Sequence, residues 1–159
     1  MDALVLDVGI GALTTALVVL AAIAVRPHWW VTTVRSWSMY PTLRPGDLLP
    51  TRAVRGTRQV GRGDIVIVDS AELGRRVVKR VIGLPGETVG VGPEGVTIDG
   101  APLPEPYLVA HGGPAARFQV PEGAYVVLGD HRRGSSDSRT WRRPYVAATA
   151  IRGRVTGRR

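Results

Sequence analysis

The longest apolar run lies at the N-terminus: Val8 to Val25 reads VGIGALTTALVVLAAIAV, eighteen residues without a charge. As a helix rising about 1.5 Å per residue it spans roughly 27 Å, close to the ~30 Å hydrocarbon thickness of a bilayer. A cleaved leader has a basic stretch ahead of its apolar core. Met1–Asp7 carries only Asp2 and Asp7, so the run predicts a retained transmembrane anchor over residues 1–25. Beyond it the period changes. Leu48–Val54 is apolar and follows the Pro45-Gly46-Asp47 turn, and Asp64–Val68 is a compact β-branched run. Arg76–Ile82 alternates, with Val77, Lys79 and Val81 on one face and Val78, Arg80 and Ile82 on the other. Gly95–Leu103 places Asp99-Gly100 between two β-prone runs, a hairpin signal. Pro102–Arg117, rich in Pro, Gly and Ala, predicts a surface loop; Ala124–Leu128 and Ala148–Val155 predict further strands. No helical period follows residue 30. The expected fold is therefore an all-β domain over residues 36–159, antiparallel sheets in a sandwich or partly closed barrel, tied to the anchor by a linker over 26–35.

Composition narrows the partners. A chain of 159 residues with 44% hydrophobic content can fill one core. It has no cysteine, which excludes disulfides and thiolate metal sites, and His28, His111 and His131 have no metal-ligand spacing. No metal or cofactor is expected. A net charge of +8 calls for an acidic partner. Without a helix-turn-helix, an RNA-binding sheet signature or a basic heptad, nucleic acid is not expected, and anionic membrane lipid is. Trp29, Trp30 and Trp37 cluster just past the apolar run. Indole favours the headgroup region, so they are expected to seat the domain on the bilayer; for Trp30 and Trp37 the competing role is packing in the core.

Three segments carry candidate chemistry. Val34–Asp47, VRSWSMYPTLRPGD, separates Ser36 and Ser38 by one residue and stiffens the backbone with Pro41 and Pro45. It reads either as a polar loop or as a nucleophile beside a fixed hydrogen-bond donor. Lys79 is the one lysine among 21 Lys+Arg residues. Arginine keeps its proton in a protein and lysine can lose it, so a position that must act as a neutral amine accepts Lys and refuses Arg. On local pattern alone, Lys79 reads as a solvent-facing strand residue, and only its being the one lysine argues otherwise at this point. The third segment, Gly129-Asp130-His131 and Gly134-Ser135-Ser136-Asp137-Ser138-Arg139, is rich in turn formers.

Taken together and in this order, the three segments resemble bacterial signal peptidase I, the membrane-bound serine peptidases that use a Ser/Lys pair. The likeness runs from about Val34 to Val155. It implies Ser38 as nucleophile and Lys79 as general base. It also implies an oxyanion site from the Ser38 N–H and the Ser36 hydroxyl, Ser135 orienting the lysine, and Asp137 with Arg139 bracing the site. The implied substrates are signal-peptide-bearing preproteins cut after small residues. Met39, Leu43 and Val78 adjoin the matched positions and are the expected pocket walls. Free lysine has a pKa of about 10.4, so activity near neutrality requires desolvation worth roughly 4 kcal/mol; Val77 and Val81 beside Lys79 suit an apolar setting. Two residues depart from the family pattern: Trp37 stands where a small or polar residue is common, and His131 where Asn is usual. The second opens a runner-up, a Ser38–His131 pair oriented by Asp130 or Asp137, although the Gly-x-Ser-x-Gly elbow is absent. The same residues also admit a dedicated precursor-maturation peptidase of the same superfamily, or a non-catalytic tethered β domain that binds anionic lipid or polymer. Orientation is contested as well. Arg26 and Arg35 follow the apolar run and nothing basic precedes it, which favours a cytoplasmic domain, whereas the resemblance implies a single-pass protein of the cell membrane with its catalytic domain extracytoplasmic.

Overall fold

Alternating and β-branched runs form the strands, and glycines and prolines end them. The computed structural model describes Thr15, residues 28–54 and residues 60–157. Apart from Thr15, the anchor expected over 1–25 lies outside the described residues, and among those described no helix is long and apolar enough to cross a membrane. The strands are β1 (Trp29–Thr33), β2 (Leu48–Ala53), β3 (Ile65–Ser70), β4 (Arg75–Gly83), β5 (Thr88–Gly92), β6 (Gly95–Ile98), β7 (Ala101–Leu103), β8 (Ala116–Gln119), β9 (Ala124–Leu128), β10 (Val146–Ala147) and β11 (Ile151–Val155). They make a seven-stranded sheet in the order β1-β2-β11-β3-β4-β9-β10 and a four-stranded sheet in the order β7-β6-β5-β8, with antiparallel pairing throughout.

The all-β expectation holds for this domain, with several local corrections. Within the 26–35 linker, Trp29–Thr33 is instead an edge strand, pairing with β2 from Trp29↔Arg52 to Thr33↔Leu48. The stretch from Pro102 to Arg117 is a loop only in its middle: Pro102 sits on the edge strand β7, where a missing N–H is tolerated, and Ala116 and Arg117 open β8. Residues 148–150 form a short 3-10 turn before β11. The Asp99-Gly100 hairpin forms as expected, with φ of 51° and 87° at its two corner residues.

β4 runs through the middle of the larger sheet and is covered on both faces. Val77 and Val81 pack with Val66, Val68, Tyr125, Val127 and Trp141. On the opposite face Val78 rests partly buried against the cluster of Leu49, Ile65 and Ile67, and Ile82 joins Val126 and Leu128. Lys79 and Arg80 thus lie inside the protein, one on each face. Trp30 packs against the cluster around Leu49 and donates from Nε1 to Thr32 at 2.9 Å. Its ring lies where a Cβ on Gly153 would come within 2.5 Å, so the bare backbone there is what lets the indole lie against β11. Trp30 is consequently a packing residue, the second of its two expected roles, whereas Trp29 and Trp37 are exposed.

Candidate active site

Ser38 lies on the sharp exit from β1. Ser36 is still extended (φ −142°, ψ 162°), and Trp37–Met39 then close a 3-10 turn with Tyr40 N donating to Trp37 O at 3.0 Å. Two side chains hold this turn from below: Met39 and Leu43 are 1% and 0% exposed and sink into the cluster with Val34, Leu49 and Ile65. Both were expected in the pocket wall and belong to the floor instead, because their apolar side chains gain more by filling the core under the loop than by lining a wet surface. Val78, the third expected wall residue, does line the cleft that opens beside the turn. That cleft, of about 630 Å³, runs between the segment 30–38 and the start of β4 and carries Ser36, Ser38 and Lys79 on its surface. The Ser36 and Ser38 hydroxyl oxygens lie 3.2 Å apart in hydrogen-bond contact.

Lys79 is only 3% exposed, and its Nζ donates to Ser135 Oγ at 3.1 Å. Burial disfavours the ammonium and lowers its pKa to about 8. The Asp137 carboxylate opposes that shift; the Arg75 and Arg139 guanidinium groups reinforce it, and Asp130 opposes it in turn. Desolvation, expected from the apolar setting of Val77 and Val81, is the leading cause, and the two arginines add to it by like-charge repulsion. The opposing carboxylates were not anticipated.

The third segment packs directly on the first. His131 N donates to Ser38 O at 3.0 Å. A Cβ on Gly129 would meet Ser135 Oγ at 2.1 Å and Ser38 O at 2.4 Å, so only glycine lets the lysine's partner and the nucleophile's backbone close on each other. Asp137, fully buried, accepts from Gly129 N at 3.0 Å and from Arg139 Nε and Nη2 at 2.9 and 2.8 Å. Arg139 also donates to the carbonyls of Gly112 and Arg132. This pair therefore ties the 129–139 loop together around Ser135. His131 itself is exposed; it meets Ser38 through its backbone, and its ring packs on Tyr40 at 6.3 Å. Nothing in this placement makes its imidazole the base for Ser38.

A second buried network gave little sign of itself in the sequence. Arg80, 1% exposed, forms a two-pronged pair with Asp130 at 2.9 and 2.7 Å, and Thr42 donates to the same carboxylate at 2.5 Å. The Tyr107 ring lies 3.8 Å from the Arg80 guanidinium, and its hydroxyl donates to Glu105, which pairs with Arg132. Arg132 Nε then donates to Gly129 O at 3.1 Å. The one available signal was an arginine between Val78 and Ile82 on a β-branched strand face, which demands a buried counter-charge. Among the described residues no cluster of His, Cys, Asp and Glu is arranged to hold a metal ion.

The profile of the family described as "Signal peptidase, peptidase S26" matches residues 8–158. The chain is similar to signal peptidase I of Bacillus licheniformis, 42% identical over 118 residues, covering 67% of this chain and 63% of that protein. It is also similar to signal peptidase I T of Bacillus subtilis (strain 168), 39% identical over 118 residues, covering 67% of this chain and 61% of that one. The match thus spans somewhat less than two thirds of the length of these relatives. Among solved structures, a signal peptidase I from Enterococcus faecalis V583 superposes with a TM-score of 0.57 at 34% identity, covering 64% of this chain and all of that one.

Proposed function

Since the chain belongs to the signal peptidase family, peptidase S26, we propose that it is a serine endopeptidase that removes signal peptides from exported preproteins, with Ser38 as nucleophile and Lys79 as general base. The observation that carries this reading is Lys79. It is the protein's one lysine, buried at the edge of a cleft that also presents Ser38, with its amine hydrogen-bonded to Ser135 and its pKa lowered to about 8. A β domain that merely binds lipid or polymer has no use for a dry amine at such a place. Burying an ammonium costs free energy, and the position refuses the arginine used at every other cationic site.

In the proposed reaction Ser38 Oγ passes its proton to the neutral Lys79 Nζ and attacks the scissile carbonyl carbon. The oxyanion is met by the Ser38 N–H and by the Ser36 hydroxyl, turned from its present partner at Ser38 Oγ. The Lys79 ammonium returns the proton to the leaving amine, and Lys79 Nζ, neutral again, then deprotonates the water that hydrolyses the acyl-enzyme. Ser135 holds the amine in line, and Asp137 with Arg139 fixes the loop that carries Ser135. Val78, which lines the cleft beside Ser38 and Lys79, favours small apolar residues before the cut. The domain faces the extracytoplasmic side, anchored by residues 8–25 and seated on anionic lipid through Trp29 and Trp37 and the surrounding arginines.

The deciding experiment incubates the purified chain with a preprotein bearing an Ala-x-Ala junction, beside the Ser38→Ala variant. Cleavage at the junction by the first and not the second is the expected result. Equal processing by both, or none by either, removes the proposal. Cleavage of one natural precursor with refusal of all others would instead favour the dedicated maturation peptidase.

A further inference from the structure

The cleft with Ser38 and Lys79 continues past the nucleophile. Trp37, 58% exposed, forms its rim and also walls a hollow with Tyr40, Arg44 and His131. Tyr40 and His131 in turn wall a second hollow that reaches Val109, itself 74% exposed, and Arg133. Neighbouring concavities therefore share walls, Trp37 between the first and the second and Tyr40 with His131 between the second and the third, and Ser38 lines the first, next in sequence to that shared Trp37. The walls hold one another in place: the Trp37 and Tyr40 rings meet edge to face at 5.7 Å, Tyr40 and His131 at 6.3 Å, and the Arg44 guanidinium sits 5.8 Å from the Tyr40 ring centre. The hydrogen bond from His131 N to Ser38 O fixes this assembly relative to the nucleophile. Both residues that depart from the family pattern, Trp37 and His131, stand in it.

We propose that this aromatic trough binds the substrate segment that follows the scissile bond and selects a large apolar, above all aromatic, side chain there. The inference rests on the peptidase reading above. A peptide stretched across Ser38 advances about 3.3 Å per residue, so successive residues past the cut meet first the hollow walled by Trp37 and Tyr40 and then the one that includes Val109. Direction follows from the other end: the first cleft is walled by β1, the element that directly follows the apolar run 8–25, so the half of a substrate that arrives from the membrane enters there and the half behind the cut lies in the trough. Aromatic walls with exposed faces gain from a planar apolar partner, while Arg44 and Arg133 repel a lysine or arginine.

The test uses the full chain in detergent micelles and peptides with an Ala-x-Ala junction, carrying Phe, Ala or Lys singly at the second, third or fourth residue after the cut. At one of these positions Phe should raise kcat/KM about tenfold over Ala and Lys should lower it. Trp37→Ser and His131→Asn, both at exposed positions, should each bring the Phe-to-Ala ratio close to one. Because a ratio is read, a general loss of rate cancels. As a second measurement, the released product peptide with Phe should inhibit the wild type more strongly than its Ala counterpart. Cleavage of all three peptides at equal rates overturns the trough while leaving the peptidase reading intact. A Phe preference that survives both substitutions does the same, even if Trp37→Ser weakens vesicle binding and so marks a lipid contact. Failure to cleave any of the peptides takes down both.

Discussion

If Lys79 is the base, the cleavage rate must follow the neutral fraction of its amine. With a pKa of about 8, about one amine in ten is neutral at pH 7, against fewer than one in a thousand for a free lysine at about 10.4. Burial therefore enlarges the reactive form about two-hundred-fold at neutrality. For the free enzyme kcat/KM should rise tenfold per pH unit below pH 7, bend near 8 and level off above 9. Arg75, exposed at the start of β4, helps hold the amine deprotonated. Arg75→Gln removes that repulsion, so the bend should move to higher pH and the rate at pH 7 should drop, with the plateau rate as the control for any contact between Arg75 and substrate. The assay is a fluorogenic peptide with an Ala-x-Ala junction read from pH 5.5 to 10.5. A bend near 6.5 that disappears in His131→Asn would refute the lysine and point to the histidine. A profile with no rise between 7 and 9 would refute it as well.

Three further outcomes follow from the same geometry. Lys79→Met should abolish cleavage yet stabilise the fold at pH 7, because the unfolded chain holds the lysine proton up to about 10.4 while the folded one gives it up near 8; the gain, about 2 kcal/mol after allowing for the lost bond to Ser135, should fade as pH rises through that window, as urea midpoints at pH 7 and 10.5 would show. Equal midpoints at pH 7 would contradict a dry amine. Gly129→Ala places a methyl on Ser135 Oγ and Ser38 O, so kcat should fall about a hundredfold or more while KM changes little; a variant of near-normal kcat would mean that the two loops need not touch. Arg80→Met leaves Asp130 buried without its partner and should cost about 3–5 kcal/mol in chemical denaturation, whereas exposed Arg76→Met, though it breaks the pair with Asp69, should cost under about 1 kcal/mol.

Much of the site was legible because it is written in residue types with few substitutes. One lysine among arginines, two serines a residue apart and a glycine-led loop point to chemistry as an ordered set, the lysine through what it can do and arginine cannot, whereas the serine pair and the loop taken singly read equally as ordinary turns. The strand positions of Val77, Lys79 and Val81 followed from period-two alternation, but alternation left Lys79 free to face solvent, and its burial was expected only from its being the one lysine and from the family resemblance. Met39 and Leu43 were not legible in this way: nearness in sequence to a catalytic residue says nothing about which side of a loop a side chain leaves from. The edge strand at Trp29–Thr33 has no alternation of its own to announce it, and its pairing with β2 exists only once the intervening loop has folded back, held by Val34 N to Asp47 O and Gly46 N to Val34 O.

By itself the sequence determined the local rules: which stretches extend, where the chain must turn, and which one amine is able to lose its proton. The tertiary structure alone decided who meets whom. Arg80 with Asp130, Glu105 with Arg132, Tyr107 over a guanidinium and Gly129 against the Ser38 carbonyl join residues far apart along the chain. Their energies come from desolvation and from hydrogen-bond geometry, quantities that no segment possesses until the sheets have closed around it.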